Sequence, residues 1–416
     1  MARLFFIGCI PIAYDKQLLE YSTVYVIIMV IDRDAFSGED VMNHLYQEGK
    51  EFAKSYLQPY TELVDKESKF PEEAFKELGK QGFLKLLIPE QYGGLGKGLE
   101  EHAEACLAFA ETCSTTALCY MMHNVALMCI QTHGSDELKK RIYADVVDNG
   151  KFMALAYSEF GTGTHFYNPE IKAEVHGDST TFNGTKSMVT SAGYASYYLV
   201  LAPSVVEGKI NNWVFPIEAE GLSFEVSSWN GLGMRGNSSC PMQVDRVTLD
   251  SSYRIGAEGS GAEQVFNVVA PFFITGLGAI YSGTAMHMFE ITSKYAVDRK
   301  YPDGTSLSNI ETVQVHVGNI YKEAAAAKAL TLEAARAGAS GEADALAKIL
   351  AARIVASEAA IECGRLSMRV GGGKAYNKAL PTERLLRDAY AGQIMAPSAD
   401  VLTVWLGKAL TGQMIP

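Results

Sequence analysis

The chain has 416 residues, of which 48% are hydrophobic and 20% are charged, and its formal net charge is −12. This composition is typical of a folded protein with two or three domains. The acidic balance, without a basic stripe, argues against nucleic-acid binding. Seven dispersed cysteines form no Cys-x-x-Cys pair, so we predict no metal site and a reduced, cytoplasmic environment.

Residues 1–28 are predicted to be an N-terminal extension with no assigned role. They contain two apolar runs, 4–7 and 24–28, which are separated by charged residues. Neither run approaches the roughly 20 apolar residues that a membrane span requires, so no span is predicted. Met29 is an alternative start, because a helical pattern begins just after it.

Residues 29–151 are predicted to form an N-terminal helical domain. Apolar residues recur there at helical spacing, as in the series from Leu45 to Leu57. The segment 89–96 is predicted to be a loop, because it holds three glycines within four positions. A second helical stretch is expected from about residue 100 to residue 130.

Residues 152–258 are predicted to form a central β domain. Thr, Val, Tyr and Ser become frequent there, and turn signals come at short intervals. Buried strands are expected at 197–201 and 213–215. The dipeptide Asn183-Gly184 lies between two strand-like runs, which predicts a β-hairpin turn at that point.

Residues 259–416 are predicted to form a C-terminal helical bundle. Helices are expected at 262–300, 322–337 and 342–369, the last two being rich in Ala, Leu, Glu and Lys. Three consecutive glycines at 371–373 are expected to end the third helix. Long consecutive helices favour an antiparallel bundle, and the fold class is therefore predicted to be α+β.

Residues 231–236 satisfy the pattern Gly-x-Gly-x-x-Gly of dinucleotide-binding folds. That motif must join a strand to a helix, whereas β-like sequence lies on both sides here. A Rossmann domain is therefore not expected.

Four segments in the same order resemble the acyl-CoA dehydrogenase family. They are Pro-Glu-Gln-Tyr-Gly-Gly-Leu-Gly at 89–96, Thr-Ser-Ala-Gly at 190–193, Gly-Met-Arg-Gly at 233–236, and Pro-Thr-Glu-Arg at 381–384 followed by Arg-Asp-Ala. The resemblance spans about residues 33–410. Agreement of several motifs in order and spacing is a stronger signal than any one of them.

The resemblance implies FAD as the cofactor, bound between the β domain and the bundle. Small residues at 158–164 would also let backbone N–H groups approach an anion. By the same resemblance, hydroxyl groups would bond the flavin ring, an arginine would meet the pyrophosphate, and a glycine pair would reach FAD from a neighbouring subunit. The implied cofactor-binding residues are Ser158, Thr164, Met188, Thr190, Arg299, Gln314, Gly372 and Gly373.

The family resemblance also implies partners. The substrate would be an acyl thioester of CoA or of a carrier protein. An electron-transferring flavoprotein would be the oxidant if the reaction is dehydrogenation. A homotetramer or dimer is expected, since each FAD site borrows residues from a second subunit.

The catalytic base of the family has no counterpart at its two usual positions. Ala396 stands where the family usually has a glutamate, and the second position falls at about Phe272 or Phe273. An alanine or phenylalanine cannot accept the Cα proton that such a reaction removes. Other groups that could replace the base are Asp400, His123, Glu90 and His165.

Three hypotheses about the reaction therefore remain open. Another group could act as the base of an α,β-dehydrogenation. The flavoprotein could instead run a different reaction, such as an elimination or an oxygen-dependent step. Finally, the chain could bind flavin or acyl-CoA as a catalytically weak, structural or regulatory homologue.

Overall fold

A computed structural model describes residues 44–415 of the chain. The predicted extension 1–28 lies outside the described residues. Within them, an N-terminal helical region is followed by a β region and then by a second helical region. This order confirms the predicted α+β architecture.

The N-terminal helices are short at first and then long and buried. The predicted stretch from residue 100 to residue 130 is two helices, because Cys113 adopts an extended conformation between them. Nearly every residue of the second one is buried, which is typical of a core helix. The helices are α1 (His44–Phe52), α2 (Thr61–Lys66), α3 (Glu72–Lys80), α4 (Leu99–Ala110), α5 (Ser114–His133) and α6 (Asp136–Asn149).

The β domain consists of two four-stranded sheets, with strand orders β1-β4-β5-β8 and β2-β3-β7-β6. Strands β1 and β4 pair in parallel, and the other pairs are antiparallel. Phe182, Trp213 and Phe215 pack together between the sheets. The strands are β1 (Met153–Ala156), β2 (Lys172–His176), β3 (Ser179–Val189), β4 (Tyr197–Pro203), β5 (Ile210–Pro216), β6 (Leu222–Phe224), β7 (Cys240–Asp250) and β8 (Arg254–Ile255).

The hairpin turn predicted at Asn183-Gly184 is wrong. Both residues lie inside β3, where the pairing with β7 shifts register between Phe182 and Gly184. Gly184 has φ +151°, and a side chain there would press on Ile171. The dipeptide therefore forms a β-bulge, and the two-residue turn lies earlier, at 177–178 between β2 and β3.

The C-terminal bundle is built around α8, which packs against α4, α9 and α10. A π-helical turn, Val265–Val269, joins α7 to α8. The glycines at 371–373 interrupt the helix, as the sequence predicts: Gly372 has a non-helical φ of +51° and ψ of −135°, and a short helical segment follows it to Tyr376. The helices are α7 (Gly261–Gln264), α8 (Ala270–Asp298), α9 (Glu311–Ser340), α10 (Ala345–Tyr376), α11 (Thr382–Ile394) and α12 (Ala399–Leu410).

The segment Gly261–Asp298 is long and apolar enough to cross a membrane by composition alone. However, 83% of its most apolar window is buried inside the protein. The segment is therefore the central core helix of the bundle, and among the described residues no other helix passes the same test.

Candidate functional site

A cavity of about 500 Å³ lies between the β domain and the helical regions. Its walls come from the segment after β1, the end of β3, the loop before β7, the start of α8, and the connection from α11 to α12. Met122 of α5 closes one side. Parts of the chain that are far apart in sequence thus meet at one place.

Three predicted cofactor-binding residues line this cavity: Ser158, Met188 and Thr190. Ser158 follows β1, and the other two lie at the end of β3. Met188 has φ +47° and is 59% exposed, which turns its side chain away from the buried sheet. Ala396 and Phe273 line the same cavity. The cavity therefore unites the predicted flavin contacts with both positions at which the resemblance places a base.

The lining suits a flat, partly polar ring system. Most of it is apolar or aromatic, and hydroxyl groups supply the polar points. The Thr190 Oγ1 atom lies 3.0 Å from Ser239 Oγ, so one hydroxyl group donates to the other and the second hydroxyl proton can be donated to a ligand atom. Trp229 also lines the cavity, and its Nε1 atom is buried without a hydrogen-bond partner. An unsatisfied buried donor of this kind suits a ligand that brings an acceptor, as an isoalloxazine does.

Arg387 and Asp388 on α11 hold the glycine-rich loop before β7 against the helices. The Arg387 guanidinium binds Asp65 at 2.7 Å and donates to the carbonyl of Leu232 at 2.9 Å. The Met234 N–H donates to Asp388 Oδ1 at 2.6 Å. A Cβ at Gly233 would lie 2.2 Å from the Arg387 carbonyl oxygen, so only glycine fits this approach. These residues belong to the motifs found in the sequence, but the motifs do not reveal their role in shaping the cavity.

Glu159 is the sole carboxylate among the described residues that line the cavity, and it is not free. Its Oε1 atom lies 2.5 Å from Nζ of Lys186, and its Oε2 atom accepts from the Glu170 N–H at 2.9 Å. Burial lowers the pKa of Lys186 to about 8, although the carboxylate opposes this shift. No local sequence pattern identifies this pair, because its members are 27 positions apart.

The four candidate bases lie away from the cavity lining. His123 is fully buried: its Nδ1 accepts from the Met153 N–H at 3.1 Å, and its Nε2 lies 2.7 Å from the Leu84 carbonyl oxygen. Burial lowers its pKa to about 4, so it is a neutral, hydrogen-bonded histidine. Asp400 is exposed in the first turn of α12. Glu90 and His165 are exposed, and His165 contacts the Tyr167 hydroxyl.

Five predicted cofactor-binding residues do not line the cavity either: Thr164, Arg299, Gln314, Gly372 and Gly373. All five are exposed. Arg299 follows α8 and stacks over the Tyr301 ring, and Gln314 donates to the Ser308 carbonyl at 3.0 Å. The structure therefore brings only part of the predicted set together within one chain.

No cluster of three or more His, Cys, Asp or Glu residues with the spacing of a metal site occurs between residues 44 and 415. The absence of a metal cofactor stays a prediction.

Three domain families match the chain in order. They are the acyl-CoA dehydrogenase N-terminal domain at residues 42–149, the middle domain at 154–247, and the C-terminal domain at 275–411. The probable acyl-CoA dehydrogenase FadE25 of Mycobacterium leprae is 26% identical over 383 residues, which cover 91% of this chain and 97% of that protein.

Solved structures share the fold. Butyryl-CoA dehydrogenase from Megasphaera elsdenii superimposes with a TM-score of 0.82 at 21% identity, over 89% of this chain and 99% of that one. The FAD complex of PigA gives a TM-score of 0.81 at 19% identity, over 92% and 99% of the two chains. The match to the three domain families supports FAD as the cofactor of this chain.

Proposed function

Because the chain belongs to the acyl-CoA dehydrogenase family, we propose that it is an FAD-dependent oxidoreductase that acts on an acyl thioester in the cavity between the β domain and the bundle. One observation carries the proposal: Ser158, Met188 and Thr190 line the same cavity as Ala396 and Phe273. The predicted flavin contacts thus face the place where a substrate carbon would react.

The chain's own residues would bind and orient the cofactor. The hydroxyl groups of Ser158 and Thr190 and the indole N–H of Trp229 would hydrogen-bond to the ring edge, and Met188 would pack on the ring face. Bound FAD would supply a hydride acceptor for Cβ of the substrate. The apolar walls, which include Phe273 and Ile274, would exclude water from the reacting atoms.

For dehydrogenation, the Cα proton would go to a group other than residue 396. Both oxygens of Glu159 are engaged in hydrogen bonds or an ion pair, so we propose that the base comes from outside the residues that line the cavity. Asp400 is the nearest candidate in sequence to Ala396, and His123, Glu90 and His165 stay as candidates. Ala396 itself precedes α12, which begins at Ala399, so Asp400 does not share a helical face with it.

A second candidate function is a different flavin reaction on the same fold, an elimination or an oxygen-dependent step. The observation that favours it is the lack of a free carboxylate among the described residues that line the cavity. A catalytically weak binding protein is the third alternative, since fold alone does not fix activity.

The thioester would be carried by CoA or by a carrier protein, and an electron-transferring flavoprotein would reoxidise the cofactor. We also propose a homotetramer or dimer in the cytoplasm. The exposed positions of Arg299 and Gly373 support a role for them in a neighbouring subunit's site.

An anaerobic spectral titration of the FAD-loaded protein with a panel of acyl thioesters tests the proposal. Bleaching of the flavin absorbance by at least one acyl-CoA or acyl-carrier thioester is expected. If none changes the spectrum while a reductant plus oxygen supports turnover, the second candidate replaces the first. A well-folded protein that takes up no FAD contradicts both.

A further inference from the structure

Lys186 is a lysine without any exposed surface, and the proposed reaction does not use it. Its ammonium group lies 2.5 Å from Glu159 Oε1 and 2.6 Å from the Leu201 carbonyl oxygen. The Glu159 side chain is only 3% exposed. Burial of two charges is costly unless they are paired and hydrogen-bonded, and breaking such a pair is more costly still. This pair therefore fixes the segments that carry Lys186 and Glu159 relative to each other.

The pair connects a loop to the strand beside it. Glu159 begins the 159–170 loop, which joins β1 to β2, and Glu170 ends that loop by donating its N–H to Glu159 Oε2. The Glu159 carboxylate thus bridges the two ends of the loop, and its ion pair with Lys186 anchors the loop to β3. Next to this anchor, the Ser187 N–H donates to the Ser158 carbonyl at 2.8 Å.

Both structures joined by the pair are walls of the cavity. The 159–170 loop contributes Phe160, Gly163 and Phe166, and the end of β3 contributes Met188 and Thr190. Lys186 itself does not line the cavity and lies behind Glu159. The ion pair is thus placed at the junction of the two walls that the cofactor would touch.

We propose that Lys186 and Glu159 form a clasp that positions the 159–170 loop for FAD binding. Lys186 is then a positioning residue, which acts through Glu159 and the loop and does not touch the cofactor. This inference rests on the proposed function in one respect, namely that FAD occupies this cavity.

Substitutions at the two positions have distinct expected effects. Lys186→Met leaves Glu159 as a buried charge without its cation, so the carboxylate turns toward solvent and takes the loop with it. The double variant Lys186→Met, Glu159→Gln buries no charge, and its amide oxygen can still accept from the Glu170 N–H. The double variant is therefore expected to resemble the wild type more closely than Lys186→Met does.

The experiment measures FAD affinity and loop order in the wild type, Lys186→Met, the double variant and a control, Lys66→Met. Lys66 is 71% exposed and paired with Glu62, so its loss removes a lysine ion pair at the surface. Lys186→Met is expected to raise the FAD dissociation constant about tenfold or more and to change the visible circular dichroism of bound flavin at saturation. The control is expected to match the wild type in both measurements.

Hydrogen exchange of the apo proteins tests the clasp independently of flavin uptake. Amides of the 159–170 loop are expected to exchange faster in Lys186→Met and to regain protection in the double variant. Equal protection in all four proteins, or equal FAD affinity of Lys186→Met and the wild type, overturns the clasp. Failure of the wild type to bind FAD contradicts the proposed function, whereas the exchange data still decide whether the pair holds the loop.

Discussion

At the scale of single residues, neither position at which a catalytic base is expected carries a proton acceptor. Ala396 and Phe273 both line the cavity, and neither side chain can accept a proton. A carboxylate placed at either position would face the same space as Ser158 and Thr190. The chain thus keeps the hydroxyl groups that are predicted to face the flavin, while its two expected base positions are apolar.

Ala396→Glu is expected to create or increase acyl-thioester dehydrogenase activity. A positioned general base typically contributes about 10²- to 10⁴-fold to a proton-transfer step, so a gain within that range is expected if the cavity binds the substrate. Turnover of an acyl-CoA with an artificial electron acceptor measures the gain.

Thr403→Glu is the control for Ala396→Glu, because it adds a carboxylate at an exposed position of α12. It is expected to leave the activity unchanged. If Ala396→Glu binds FAD normally and shows no gain with any thioester, the reaction is not an α-proton abstraction at this position.

Asp388 provides a pH-dependent prediction. Burial raises its pKa from 3.8 to about 6, although Arg384 and the Met234 N–H oppose the shift. Because the pKa is higher in the folded state, the stability that this group contributes is present below about pH 4 and is lost as pH rises through 6. In Asp388→Asn, the side-chain oxygen can still accept from the Met234 N–H, and no charge is buried at high pH.

The free energy of unfolding of Asp388→Asn, relative to the wild type, is expected to increase by at most about 3 kcal/mol between pH 4 and pH 7. Chemical denaturation at both pH values measures the difference. Asp303→Asn is the control, because hydrogen bonds from Thr305 lower the pKa of this exposed carboxylate, so its contribution changes mainly below pH 4 and little change is expected between pH 4 and pH 7. A pH-independent difference for Asp388→Asn would show that Asp388 is already ionised at pH 4.

At the scale of elements, sequence patterns predicted which segments are helical and which are strands, but not every turn between them. Asn183-Gly184 has the composition of a tight turn, yet β7 and Ile171 hold it inside a strand. The three glycines at 371–373, in contrast, interrupt α10 at Gly372, as their local propensity predicts. At Asn183-Gly184, tertiary contacts that no local window contains override the local propensity.

The residues of the candidate site likewise comprise some that local motifs predict and some that only the folded chain reveals. Residues that belong to recognisable local motifs, such as Ser158 and Thr190, were predictable and do line the cavity. The clasp residues and the contact of Arg387 with Leu232 join positions far apart in the chain, so no motif reveals them. The position of His123 on its helix made it a candidate base. Its two hydrogen bonds to backbone groups are visible only in three dimensions.

At the scale of the whole molecule, the predicted FAD contacts fall into two groups. Ser158, Met188 and Thr190 line the cavity, whereas Arg299 and Gln314 lie exposed on the bundle. A two-fold symmetric dimer repeats every such surface, so one chain's exposed group can complete the partner's cavity. The division therefore supports a site shared between two copies of the chain.

Subunit mixing is expected to reveal the shared site. Thr190→Val damages the cavity group and Arg299→Ala damages the exposed group, so each variant alone should bind FAD weakly. In mixed dimers, one site combines both lesions and the other contains neither. Random reassociation of equal amounts is therefore expected to restore about a quarter of all sites to wild-type affinity.

FAD titration of the mixture, after partial denaturation and refolding of the two variants together, measures the restored fraction. The same variants refolded separately and then combined without exchange are the control, and they should show no restoration. Restoration fails if Arg299 serves its own chain's cavity, because every mixed dimer then contains two singly damaged sites. The pattern of recovery thus distinguishes a site within one chain from a site built across two.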